Sequence, residues 1–185
     1  MPLALFSFLF TAVPSEAEMP LSPGDDWILV ETAHFTLYGN ATESKIREVG
    51  LDLETLRASL GRLIKNATVS SPVPTSVFVF KSDAAMTPYK PRYEGKPANV
   101  AGWFQSTGDG IYISLSAKWN ADPRPVIHHE FLHSFTSTNF ARFPVWFEEG
   151  LAEYYSTFLP SDDEVRIGRP IADHIHLLNE TPLMP

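Results

Sequence analysis

The chain contains no cysteine. Disulfide frameworks, thiol catalysis and thiolate metal sites are therefore excluded, and any metal chemistry is left to histidine and carboxylate donors. There is no basic block either: 14 Lys and Arg stand against 22 Asp and Glu, giving a formal charge of −8. A nucleic-acid backbone or an anionic membrane surface is accordingly not an expected partner. No internal repeat, no low-complexity tract and no apolar run near the ~20 residues needed to span a bilayer is visible. What remains is a chain of 185 residues, 44% hydrophobic and 12% aromatic, enough for one well-buried core.

Residues 1–20, "MPLALFSFLFTAVPSEAEMP", carry a short apolar run that ends in small residues, with Ser15 and Ala17 spaced as a signal-peptidase site requires. No Lys or Arg precedes the run. The segment is expected to be a signal peptide or N-terminal extension, residues 21–185 the folded domain, and the destination secreted or periplasmic. No stable membrane insertion is expected once the segment is removed.

Hydrophobic periodicity orders the remainder as strand, helix, strand, loop, hairpin, helix, helix. "WILVETAHFTLYG" has strand composition. Residues 41–66 place Ile46, Val49, Leu53, Leu56, Leu60 and Leu63 at spacings of three and four, an amphipathic helix. "TSVFVFKS" reads as a buried strand, and the stretch from Pro88 to Pro97 as a loop. "NVAGWFQ" and "GIYISLS", joined by "STGDG", read as a hairpin. These elements predict an α+β fold with a small mixed twisted sheet.

The chemistry concentrates in "VIHHEFLHSF", residues 126–135. On a helix His129 and His133, four apart, point the same way, so both imidazoles can reach one cation. Glu130 stands about a quarter-turn round, beside that cation, where a general base for an activated water belongs. His128 faces elsewhere and reads as an ordinary core histidine. Pro123 and Pro125 help set the helix start, and Phe131, Leu132 and Phe135 give it an apolar face.

A second helix is predicted over residues 143–159, "FPVWFEEGLAEYYSTFL", with Val145, Leu151, Ala152, Tyr155 and Phe158 buried. A hydrolytic zinc site takes three protein ligands and an open position, and two histidines with one carboxylate are an established set. Glu149 can complete it. Glu153, one turn on, can accept the outer N–H of a ligand histidine. Glu148 reads as part of a solvated helix face.

Together "HHEFLH" and "WFEEGLAEYY" resemble the gluzincin metallopeptidases, whose H-E-x-x-H helix is followed by a helix carrying a Glu ligand, often as Trp-x-x-Glu-Gly. The likeness is greatest to the peptidase-MA-like proteins and more distant to the aminopeptidase N and thermolysin groups. It covers both motifs closely and the preceding strands loosely, roughly residues 27 to 160 by their periodicity. The resemblance implies a zincin-like fold, one Zn2+ held by His129, His133 and Glu149, and Glu130 as general base in peptide-bond hydrolysis. It implies an edge strand that pairs with a peptide or protein substrate, for which Val100 to Phe104, with Gly102 and Trp103 at its centre, is the candidate. The competing reading makes this an ordinary strand with Trp103 in the core.

A Tyr or His oxyanion donor is also implied; Tyr154, Tyr155, His174 and His176 are the candidates. Fifteen residues separate His133 from Glu149, fewer than in the better-known groups. Little of the C-terminal subdomain found in such enzymes is visible after Leu159, which raises the expectation of a fragment. Two other classes remain open at this stage. One is a degenerate zincin-like domain that binds metal or peptide without catalysis; the other is a metal-free domain with incidental histidines.

Overall fold

In a computed structural model, residues 26–69, 71–117, 122–140, 142–161 and 164–180 are described. The apolar segment 1–20 lies outside them. Five strands form one mixed sheet: β1 (Ile28–Glu31), β2 (Thr36–Gly39), β3 (Thr75–Phe80), β6 (Gly102–Ser106) and β7 (Ile111–Ser116). Their order is β1-β2-β3-β7-β6, with β2, β3 and β7 parallel and the two edge strands antiparallel to their neighbours. Helix α1 (Glu43–Leu63) provides the crossover from β2 to β3, as a parallel connection requires. Between β3 and β6 lie α2 (Asp83–Met86), a 3-10 turn at Thr87–Tyr89 and a small ribbon of β4 (Arg92–Tyr93) and β5 (Lys96–Pro97). After β7 come α3 (Arg124–Asn139), α4 (Val145–Ser156), the pair β8 (Leu159–Pro160) and β9 (Val165–Arg166), and α5 (Ala172–Glu180). The molecule is α+β, as its periodicities predict. None of its described helices is long and apolar enough to cross a membrane.

The core lies on one face of the sheet. Leu37, Val77 and Ile113 stand in register across β2, β3 and β7 and are fully buried, because alternate residues of each strand point the same way. Against them pack Ile46, Val49, Leu53, Leu56 and Leu60 of α1 and Ile127, Phe131, Leu132 and Phe135 of α3. Phe35 meets Phe131 edge-on at 5.6 Å. The helix carrying the histidine motif is thus held by its apolar stripe, which leaves the opposite stripe free for chemistry.

Several local expectations differ from the structure, and the stretch from Pro88 to Pro97, read as a loop, holds the β4–β5 ribbon. "WILVETAHFTLYG" is two strands, because Thr32 closes a turn: its amide donates to the Phe35 carbonyl at 3.0 Å and its hydroxyl accepts from the Phe35 amide at 3.1 Å. Leu63 continues the apolar spacing of α1 yet is 54% exposed, since the last turn runs past the sheet that covers Leu60. Val145 is also exposed, at the first turn of α4, before that helix reaches the core at Ala152.

His128 is a core residue, as its helical position predicts, and it carries a pH liability. Its ring lies edge-on to Phe158 at 5.4 Å, and among the described residues neither nitrogen has a hydrogen-bond partner of good geometry. Burial pushes its pKa down to about 4, with the Ser156 backbone close enough only to oppose the shift in part. The folded state therefore keeps His128 neutral where the unfolded chain protonates near 6.5. As pH falls from 6.5 toward 4 the unfolded state binds the extra proton, so stability present above 6.5 is lost through that window. Urea denaturation at pH 7 and pH 4.5 is expected to show the parent losing about 2 kcal/mol more than His128→Phe over this interval. Equal losses would remove His128 as the cause.

Candidate metal centre

Helices α3 and α4 pack against each other so that the α4 carboxylates face the α3 histidines. The His129 Nε2 lies 3.4 Å from Glu149 Oε2, and His133 Nε2 lies 3.8 Å from Glu149 Oε1. One donor atom from each of the three residues falls within 4.8 Å of the other two. Bond lengths of 2.0–2.1 Å in a tetrahedral zinc site place neighbouring donors about 3.3 Å apart. The two His–Glu149 separations are close to that value, so the group could hold a metal ion.

The outer nitrogens are also occupied. His129 Nδ1 faces Glu153 Oε1 at 3.5 Å, and His133 Nδ1 faces Glu148 Oε1 at 3.7 Å. Such outer carboxylates fix which nitrogen is free to ligate and strengthen the imidazole as a donor. Glu153 stands where the sequence predicts. Glu148 does not: it is turned onto His133 and accepts from the Thr136 hydroxyl at 3.3 Å. Two adjacent glutamates on α4 thus serve opposite sides of one imidazole, Glu149 at Nε2 and Glu148 at Nδ1. No local signal marks Glu148 for this role, because it depends on where α3 lies. For a metal ion held by this group, Glu148→Ala is expected to weaken the affinity about 10–100-fold, the usual worth of a carboxylate that braces a ligand histidine, with calorimetric titration of zinc as the check.

Electrostatics separate the four central groups. Glu149 is held below the usual carboxylate range by its hydrogen bond with His129, against a smaller effect of burial, so it is ionised at neutral pH as a ligand must be. Burial pulls the His129 pKa down, but Glu149 and the charges of Glu130 and Glu153 outweigh it and the net shift is upward. His133 moves down, through burial and the neighbouring His129. Glu130 is pushed up to about 7, chiefly by desolvation, with Glu149 adding to the shift and His129 and the Phe104 backbone opposing it.

The other wall of the site is the edge strand β6. Thr107 N–H donates to Gly110 O at 2.9 Å and Ser116 N–H to Ala101 O at 3.1 Å, so residues 101, 103, 105 and 107 turn their backbone groups toward β7. The alternation of antiparallel pairing turns those of Gly102, Phe104 and Ser106 outward. Phe104 bonds Glu130 through its backbone and stacks on His133 with ring centres 6.4 Å apart. Trp103, one residue away, points its side chain to the opposite face of the sheet, half-buried. Gly102 permits the close approach of α3: a Cβ there would lie 2.7 Å from Val126 Cγ1, 2.9 Å from Ser114 O and 3.4 Å from Glu130 Cγ.

The four oxyanion candidates separate clearly. Tyr154 lies over Gly168, where a Cβ would collide with its ring. Tyr155 packs against the core. His176 pairs with Glu180 at 3.4 Å on exposed α5. Only His174 borders the cluster, its Nε2 4.0 Å from Glu153 Oε2. No family model matches this chain, and no curated protein matches it.

Proposed function

We propose that this chain is a zinc-dependent peptidase of zincin-like, gluzincin type, with His129, His133 and Glu149 holding one Zn2+ and Glu130 acting as general base. The observation that carries this reading is the convergence of two imidazole nitrogens and a carboxylate oxygen within 4.8 Å of one another, with Glu130 beside them. When bound in such a set, zinc acts as a Lewis acid toward a carbonyl and acidifies water.

The chain's own groups supply the rest. Glu153 and Glu148 hold the two imidazoles with Nε2 directed inward. The Phe104 backbone steadies the Glu130 carboxylate, and its free oxygen takes a proton from the attacking water and returns it to the departing amine. A peptide laid along the exposed end of β6 finds the outward backbone groups of Ser106 unengaged by β7, the strand-addition mode of binding. The product is a carboxylate and an amine from one peptide bond.

The deciding experiment exposes a peptide library to protein purified without a histidine tag, before and after chelation and again after zinc is restored. Cleavage that disappears with chelation and returns with zinc is expected. Protein that carries far less than one zinc per chain after gentle purification, or cleavage indifferent to chelator, would overturn the proposal.

A further inference from the structure

Gly150 sits in the middle of α4, where glycine weakens a helix relative to alanine because its backbone loses more freedom on folding. Two structural reasons ordinarily keep a glycine in such a place: a positive φ, or a neighbour too close for a Cβ. Neither applies. Gly150 does not have a positive φ, and a Cβ built on it meets nothing within 4 Å among the described residues. Gly102 shows the contrast, with three atoms crowding the same position. The space beside Gly150 is open, and the fold of the described residues does not demand it.

What borders that space is specific. Trp146 precedes Gly150 by four residues and Glu153 follows by three, so the three share one stripe of α4. Glu149, adjacent to Gly150, directs its carboxylate at His129 and His133. The opening therefore runs alongside the metal donors. Trp146 is 72% exposed, an unusual amount of indole to leave in water. It is nevertheless braced: Phe147 meets its ring edge-on at 5.7 Å, Phe143 lies 4.9 Å from Phe147, and Phe140 lies 5.4 Å from Phe143.

We infer that Trp146 and Gly150 form a side-chain subsite beside the donor cluster, accepting a neutral aromatic residue of a peptide against the indole and over the bare Gly150 backbone. The inference rests on the peptidase reading and names its substrate class: peptides with Phe, Tyr or Trp near the scissile bond. A braced indole face favours another ring in offset or edge contact. A basic side chain fits less well, because the nearby carboxylates Glu148, Glu149 and Glu153 are each turned onto a histidine and none is left to pair with it.

Binding, separated from turnover, tests this. Zinc-loaded Glu130→Gln protein is titrated into fluorescein-labelled Ala-Ala-X-Ala-Ala peptides with X as Phe, Ala or Lys, read by fluorescence polarisation. The Phe peptide is expected to bind about tenfold more tightly than the Ala peptide, the size of one aromatic contact. Trp146→Ala, added to that background, should erase the preference while leaving the Ala peptide unchanged. Gly150→Leu should erase it too, by filling the opening, while raising Tm by about 2 °C through better helix propensity. That rise separates a blocked subsite from an unfolded protein. Preference for Phe that survives both substitutions, tightest binding of Lys, or equal loss for all three peptides overturns the inference. Binding of every peptide without preference removes the subsite and leaves the peptidase standing; binding of none removes both.

Discussion

Glu130→Gln is expected, on the proposed peptidase reading, to lower kcat for peptide cleavage by about 10²–10⁴-fold, the range in which a positioned general base acts, while leaving the zinc content at that of the parent. The amide has nearly the shape of the carboxylate and retains an oxygen for the Phe104 backbone. It cannot take a proton. Glu130 is not among the three donors His129, His133 and Glu149, so metal content should not change. Stability should hold or rise, because desolvation disfavours the parent's charged form and the amide has no charge to desolvate. Steady-state cleavage and metal analysis on the same preparation make the check. A variant that cuts as fast as the parent would show that the base is elsewhere, whatever the metal does.

Glu149→Ala should fail in the opposite order, losing the ion first. It removes one of three donors and the only anionic one, so the loss in affinity should exceed the about 10–100-fold attached to an outer-shell partner such as Glu148. Linkage supplies a readout that does not depend on activity. On the proposed reading, zinc at 100 times its dissociation constant would stabilise the folded parent by about 2.7 kcal/mol, which would raise Tm by about 5–10 °C in a domain of this size. The variant should show no zinc-dependent shift. Its fold should survive, since Glu149 is only half-buried and alanine is the better helix former. If Glu149→Ala keeps a full complement of zinc and the full shift, the donor set is wrong and the peptidase proposal goes with it.

The parts of the fold that were legible beforehand depend on spacing within one element. The continuous Val and Phe content of β3 marks a buried strand, in which Val77 and Val79 are fully buried, and the three-and-four spacing marks the buried face of α1. The spacing fails where burial depends on what stands opposite. Leu63 and Val145 have apolar side chains in helical phase, yet the sheet ends before one and the core before the other. The split of β1 from β2 was hidden because the segment is continuous in strand composition; the Thr32 and Phe35 bonds that divide it are single local contacts.

The same boundary runs through the site. By itself the sequence determined that His129 and His133 share a face and that Glu130 stands beside them, since both follow from the helical repeat. It also determined which residue types could act, by lacking cysteine. Only the tertiary structure decided that Glu149 meets both imidazoles, that Glu148 supports His133 rather than facing solvent, that Phe104 steadies Glu130, and that Gly150 opens onto the donors next to an exposed Trp146. The reason is physical: a helix repeats every few residues and its internal neighbours can be counted. The approach of α4 and β6 to α3 is instead set by the packing of side chains far apart in the chain, which no local period encodes.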